Sequence, residues 1–220
     1  MLLNSYIDHT LLKPDATTDQ IEKLCQEAVE NSFASVCING VWVAEAAALV
    51  RSSQVKVCTV IGFPLGAMSS ESKAYEALNA VGNGAEEIDM VISIGLLKSG
   101  RDKDVRNDIE LVRNSCTGKV LKVIIETCLL TNDEKRRACI CALDAGADFV
   151  KTSTGFSSGG ATIEDVRLMA ECAGQRARVK ASGGIRTRES ALAMIEAGAS
   201  RLGTSNGVAI ISGGSAGNTY

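Results

Sequence analysis

Histidine is almost missing from this chain of 220 residues: His9 is the only one. The nucleophile-elbow hydrolases need a histidine base that follows the serine in chain order. Two stretches fit Gly-x-Ser-x-Gly, at Gly155-Phe-Ser157-Ser-Gly159 and Gly203-Thr-Ser205-Asn-Gly207, but His9 precedes both. The same scarcity excludes a zinc site built from three histidines, and Asp8-His9 reads as a packed or solvated imidazole. No Gly-x-Gly-x-x-Gly or Walker pattern occurs, so nucleotide cofactors have no support.

Proline is nearly as scarce. Pro14 and Pro64 are the only two, and with no low-complexity run there is no linker. The chain therefore reads as one domain over residues 1–220, long enough to bury a core and short for two, with a flexible tail from about 212. No apolar run reaches the roughly eighteen residues of a membrane span, and the start lacks a basic segment ahead of an apolar one. A net charge of −3 gives no field to gather nucleic acid or an anionic membrane. A local basic cluster can still hold a small anion. The eight cysteines contain no Cys-x-x-Cys pair, and several stand inside apolar strands, as in Val36-Cys37-Ile38. They behave as small hydrophobes suited to a reducing cytoplasm.

What is present is an alternation of short apolar runs with longer helical patterns. Strands are expected at 6–10, 34–38, 55–62, 87–93, 121–126, 149–153, 178–182 and 201–204, the runs near-continuous as in parallel strands covered on both faces. Helices are expected at 17–31, 41–51, 71–83, 103–114, 131–145, 162–172 and 188–197. Thr17 with Gln20 and Thr131 with Glu134 form capping pairs. Ala-Gly146-Ala and Ala-Gly198-Ala mark left-handed helix stops before strands. Eight strands alternating with helices in this length fit a small single-domain (β/α)8 TIM barrel. A doubly wound open sheet is the alternative.

In a barrel, strand C-termini face the active site. Asp8, Thr10, Cys37, Asp89, Lys151 and Lys180 all fall there, with Ser205 just beyond the last strand. Lys151 and Lys180 each run into a loop of small residues, in Asp148-Phe-Val-Lys151-Thr-Ser-Thr-Gly155 and Arg178-Val-Lys180-Ala-Ser-Gly-Gly184. Burial and a neighbouring like charge both push a lysine toward its neutral form, a nucleophile for carbonyls. Asp89 interrupts an apolar strand, where an unpaired carboxylate is costly. A buried Lys180–Asp89 pair answers both charges, as a proton relay or as a structural ion pair. Lys56 and Lys122 flank strand starts and are expected on the opposite rim as solvated termini.

Glycine-rich turns follow three late strands, at Gly155–Gly160, Gly183-Gly184-Ile-Arg186 and Gly203–Gly207. Their backbone N–H groups suit a phosphate, with Arg186 adding charge at the rim. Two lysines, an acid and a phosphate loop, without histidine clusters or cofactor loops, point to a Schiff-base lyase acting on a phosphorylated substrate. The residues alone do not name that substrate.

The segments Ile7-Asp-His-Thr-Leu-Leu-Lys13, Ser35-Val-Cys-Ile-Asn39, Val57-Cys-Thr-Val-Ile-Gly-Phe-Pro-Leu-Gly66, Glu87-Ile-Asp-Met-Val91, Lys122-Val-Ile-Ile-Glu-Thr-Cys-Leu-Leu130, Phe149-Val-Lys-Thr-Ser-Thr-Gly155, Val179-Lys-Ala-Ser-Gly-Gly-Ile-Arg186 and Leu202-Gly-Thr-Ser205 run in order across the chain. Together they resemble the deoxyribose-phosphate aldolases, a class I aldolase family. The resemblance implies reversible cleavage of 2-deoxy-D-ribose 5-phosphate to D-glyceraldehyde 3-phosphate and acetaldehyde, without metal or organic cofactor, by a protein that is often a homodimer. It implies Lys151 as the Schiff-base lysine and Lys180 as the second lysine that depresses its pKa. Asp89 becomes the proton donor and acceptor, working with Lys180 through water. Thr154, Gly155, Gly183, Gly184, Gly203 and Ser205 take positions resembling phosphate and sugar contacts, and Asp8, Thr10 and Cys37 lining positions.

Gly40 departs from an expected proline and Ser93 from an expected asparagine, neither at a catalytic position. The terminal Tyr220 resembles a tail tyrosine that some family members use in proton transfer; an ordinary chain end is the alternative. Two rival readings stay open: a transaldolase-like enzyme on the same barrel, and a non-catalytic sugar-phosphate-binding barrel.

Overall fold

The structure is a computed structural model that describes residues 3–213. Its strands are β1 (Ile7–Leu11), β2 (Ser35–Ile38), β3 (Lys56–Ile61), β4 (Glu87–Val91), β5 (Val120–Ile124), β6 (Phe149–Lys151), β7 (Arg178–Ser182) and β8 (Ala199–Thr204). All pairs are parallel, in the order β1 to β8, and β8 pairs back to β1 through Asp8 and Gly203. The barrel is closed, which removes the open-sheet alternative.

Helices α1 (Thr18–Glu30), α2 (Val43–Val50), α3 (Ser70–Gly82), α4 (Ile94–Lys98), α5 (Asp102–Ser115), α6 (Asn132–Asp144), α7 (Ile163–Ala173), α8 (Arg188–Glu196) and α9 (Gly207–Ser212) join them. Both capping pairs form as expected, with Thr17 N–H donating to Gln20 at 3.0 Å and Thr131 N–H to Glu134 at 2.8 Å. Such a cap is worth about 1 kcal/mol. The short α4 and α9 were not anticipated, because one or two turns show no readable period. Gly40, where proline was expected, opens a single 3₁₀ turn, Gly40–Trp42. Ser212 closes α9, and the expected tail beyond residue 213, with Tyr220, lies outside the described residues.

Several strands end earlier than their apolar runs. β5 stops at Ile124, and Glu126 takes a left-handed backbone (φ 55°). β4 stops at Val91, and Ser93 leads into α4. Backbone geometry, not hydrophobicity, sets these ends.

The main apolar core lies between barrel and helices, where Ile7, Val36, Ile88, Met90, Leu121, Val123, Val150 and Leu202 are buried. Each such side chain contributes about 1.5–3 kcal/mol. The alternate residues of the same strands point into the lumen and include the charged Asp8, Glu87, Asp89, Lys122, Lys151 and Arg201. At the N-terminal end Phe149 is fully buried beneath two guanidiniums, Arg178 at 4.1 Å and Arg201 at 5.5 Å from its ring centroid.

His9 points outward from β1, buried, with Nε2 2.7 Å from Glu27 Oε2 and its ring 5.2 Å from Phe33. Of the two readings, packed is the right one. Burial holds its pKa below the ordinary 6.5 despite Glu27. The unfolded chain therefore takes up this proton first, so stability falls as pH drops below about 6.5. His9→Gln is expected to lack that component. Thermal melts of both proteins at about pH 7.5 and pH 5.5 check it.

Candidate active site

Period-two alternation brings seven charged side chains together inside the barrel. Asp8 comes from β1, Glu87 and Asp89 from β4, Lys122 from β5, Lys151 from β6, Lys180 from β7 and Arg201 from β8. Asp89 is the hub. Its Oδ2 accepts from Lys151 Nζ and Lys180 Nζ, both at 2.7 Å. Its Oδ1 accepts from Lys122 Nζ at 2.8 Å and Cys58 Sγ at 3.1 Å. Below, Lys122 reaches Glu87 at 2.5 Å, Lys180 pairs with Asp8, and Arg201 bridges Asp8 at 2.6 Å and Glu87 at 3.0 Å.

Lys122 corrects the sequence reading. It is fully buried in the lumen, not solvated on the far rim. The strand starts at Val120, one residue earlier than expected, and position 122 sits inside with Asp89 as its register partner. Lys56 does lie where expected, exposed beside Glu86 at 2.8 Å.

Burial alone would raise the Asp89 carboxyl, but the ammoniums of Lys122, Lys151 and Lys180 outweigh it and hold it well below the usual range. Burial would likewise push Lys180 down, yet Asp8 and Asp89 prevail and keep it protonated. Lys122 is raised in the same way, Asp89 being its strongest partner. The cluster thus sets four cationic side chains (Lys122, Lys151, Lys180, Arg201) against three carboxylates (Asp8, Glu87, Asp89). One positive charge is in excess, and an uncompensated charge in a buried site is costly.

Above the cluster a cavity opens at the C-terminal mouth. Of the sequence-predicted residues, Thr10, Lys151, Thr154, Gly155, Gly183, Gly184, Arg186, Gly203 and Ser205 line it. Asp8, Cys37, Asp89 and Lys180 lie just beneath, fully buried. Leu12, Ser182, Ile185, Thr204 and Asn206 complete the wall and were missed, as ordinary strand-end and loop residues carry no signal of their own. The hydroxyls of Ser182 and Ser205 are buried without a hydrogen-bond partner, both beside the cavity. A buried donor left unpaired costs about 1–3 kcal/mol, which a polar ligand can recover. Gly183 holds a left-handed backbone (φ 88°) against Gly160. A Cβ at Gly203 would strike the Ser182 hydroxyl and stand 3.1 Å from Lys180 Cε, so this glycine makes room for the second lysine.

Glu126 is a further residue that sequence reasoning passed over. It is buried, in the left-handed region, and accepts Thr154 N–H at 3.2 Å and the Thr154 hydroxyl. It ties the loop after β5 to the loop that follows Lys151. Non-glycine residues at positive φ cluster at functional sites. Glu126→Ala is expected to lower kcat/KM by about 10–100-fold, since it strands two buried donors, chiefly through KM. Steady-state kinetics beside an unchanged circular dichroism spectrum check this.

Two groups of metal-ligating atoms lie within 4.8 Å of one another, Cys37–Cys58–Asp89 and Asp8–Cys58–Glu87. Lys122 Nζ stands 2.8 Å from Asp89 and 2.5 Å from Glu87, so a metal ion would have to displace an ammonium.

Amines held against a carboxylate beneath a glycine-walled cavity, at the C-terminal mouth of a (β/α)8 barrel, define a lysine-dependent barrel enzyme. The comparisons narrow this. The chain belongs to the DeoC/LacD family of aldolases, whose model matches residues 3–214. It is 60% identical over 213 residues to the deoxyribose-phosphate aldolase of Brevibacillus brevis, covering 97% of this chain and 96% of that one. It is 59% identical over 220 residues to that of Streptococcus gordonii, covering all of both. Among solved structures, the tetrameric deoxyribose phosphate aldolase from Aeropyrum pernix superposes with a TM-score of 0.89 at 35% identity, over 96% of this chain and 89% of that one.

Proposed function

We propose that this aldolase cleaves 2-deoxy-D-ribose 5-phosphate reversibly to D-glyceraldehyde 3-phosphate and acetaldehyde through an imine on Lys151. The observation that carries the reading is the pair of lysines, each 2.7 Å from one oxygen of Asp89, with Lys151 alone of the two on the cavity wall. Releasing one proton from the cluster removes its excess charge, and Lys151 is the member placed to release it to an incoming ligand. The free amine adds to the aldehyde carbon, and loss of water gives the imine. The protonated imine withdraws electrons as the bond between C2 and C3 breaks; the C3 hydroxyl gives up its proton and becomes the aldehyde of D-glyceraldehyde 3-phosphate, which leaves, and an enamine remains on Lys151. A proton returned to the enamine carbon, and water added to the imine, release acetaldehyde.

Lys180, kept protonated at rest by Asp8 and Asp89, stands beside Lys151 as its register partner. Asp89, with Lys180 and a water, moves the protons. The unpaired Ser182 and Ser205 hydroxyls and the N–H groups of the loops at Gly155, Gly183 and Gly184 would hold the phosphate, with Arg186 at the rim.

Borohydride added with acetaldehyde tests the reading. A reduced two-carbon adduct on Lys151 is expected; modification elsewhere, or none, rejects it. Product analysis separates the rivals. A transaldolase-like enzyme needs a ketose donor and releases no acetaldehyde, and a non-catalytic binder forms no reducible imine.

The finer points of organisation follow from the resemblance. We read the protein as a cytoplasmic homodimer of a single catalytic domain. Its cysteines are all free. Light scattering should give twice the 23.0 kDa chain mass, and four times that mass would align it with the tetrameric Aeropyrum relative.

A further inference from the structure

Cys37 and Cys58 are direct register partners on the neighbouring strands β2 and β3. Both are fully buried, with sulfurs within 4.8 Å of each other and of the Asp89 carboxylate. Adjacent strands run about 4.8 Å apart, inside the roughly 4.4–6.8 Å Cα separation a disulfide accepts. The geometry points to a modification site for a small hydroperoxide, in which oxidation joins Cys37 to Cys58 and switches the catalytic cluster off.

The chemistry balances in two steps. The Cys37 thiolate attacks one peroxide oxygen, an S–O bond forms and the O–O bond breaks. The departing hydroxide takes the thiol's proton and leaves as water. Cys58 then attacks the Cys37 sulfur, the S–S bond forms, and the S–O bond breaks to release a second water with the Cys58 proton. Two thiols are oxidised by two electrons and one hydrogen peroxide is reduced to two waters.

The surroundings assign the order. The neighbouring Cys58 sulfur, ahead of the Lys180 and Lys151 ammoniums, lowers the Cys37 thiol, whereas burial pushes Cys58 up. Cys37 is therefore the attacking thiolate and Cys58 the resolving thiol.

Access and consequence also follow from position. Thr10, the register partner of Cys37, stands on the cavity wall, and Leu12, also on that wall, packs in the same small cluster as the two cysteines. The thiols are one side chain away from the cavity, close enough for a water-sized oxidant and closed to a bulky one. Cys58 donates to Asp89 Oδ1 at 3.1 Å and lies 3.3 Å from Lys122 Nζ. A disulfide removes that donor and draws the sulfur toward β2, so the carboxylate shared by the lysines loses one of the groups that orient it.

The test treats the purified protein with hydrogen peroxide and follows activity, intact mass and a peptide map, before and after dithiothreitol. A loss of activity of about 10-fold or more is expected, in step with a Cys37–Cys58 linked peptide and recovered on reduction. A bulky maleimide should label the exposed Cys128 and leave this pair untouched. Each variant is compared with its own untreated activity. Cys37→Ala should be insensitive to peroxide, Cys58→Ala should show no dithiothreitol-reversible loss, and Cys128→Ser should behave as the parent. Absence of the linked peptide, a link at Cys139 and Cys172 instead, or a reversible loss that persists in Cys58→Ala would overturn the assignment. The cross-link is read by mass, so it stands or falls independently of the substrate proposed above.

Discussion

Lys151→Ala should lose cleavage activity by at least roughly 10⁴-fold, the scale on which a covalent nucleophile is missed, while its melting temperature stays level or rises. The two halves of this result come from one charge count. Without Lys151 the lumen keeps three cations, Lys122, Lys180 and Arg201, against three carboxylates, Asp8, Glu87 and Asp89. The excess positive charge is gone, and Asp89 Oδ2 still accepts from Lys180 at 2.7 Å. A side chain that merely held the barrel together would behave in the opposite way, because breaking a buried pair usually costs about 3–5 kcal/mol. Kinetics and calorimetry on one preparation decide it. A loss of several degrees with partial activity would make Lys151 structural.

Lys180→Leu is the second large effect, and its sign differs. Removing this charge leaves Lys122, Lys151 and Arg201 facing the three carboxylates, so the cluster is neutral only while Lys151 keeps its proton. The amine that must attack is then the charge that balances the site. A loss of about 10²–10⁴-fold is expected, as for removal of a group that assists proton transfer. The acid limb of the pH–rate profile should also move to higher pH, because more alkali is needed to free the nucleophile. Neither Asp89 nor Lys180 should contribute a limb of its own in the parent enzyme. The lysines hold the first far below neutrality, and the carboxylates hold the second above it. An unmoved profile in Lys180→Leu would mean that the two amines titrate independently.

Much of this was legible in the sequence. The eight-fold alternation gave the barrel, and the placement of Asp89, Lys151 and Lys180 at strand ends gave the meeting point of the three. The strands were read as near-continuous apolar runs, and that hid the lower half of the cluster. In Glu87-Ile88-Asp89-Met90 the charges stand two positions apart, the period of a strand whose inner face is polar. That signal would have put Glu87 inside; Lys122 is a single charge between Leu121 and Val123 and shows no such repeat. Arg201 is harder to read, because it opened the expected last strand, where a charged residue normally meets water. Glu126 could not be found this way at all. Its part depends on a left-handed backbone and on Thr154, twenty-eight residues away.

The aromatic floor made by Phe149 under its two arginines carries one last implication. With Phe149 filling that end of the lumen, the amine of Lys151 meets solvent at the mouth that the sugar enters. Substrate seated in that mouth screens the amine from bulk solvent. A proton lifted from the C3 hydroxyl is then held indoors, available to the enamine carbon before exchange can dilute it.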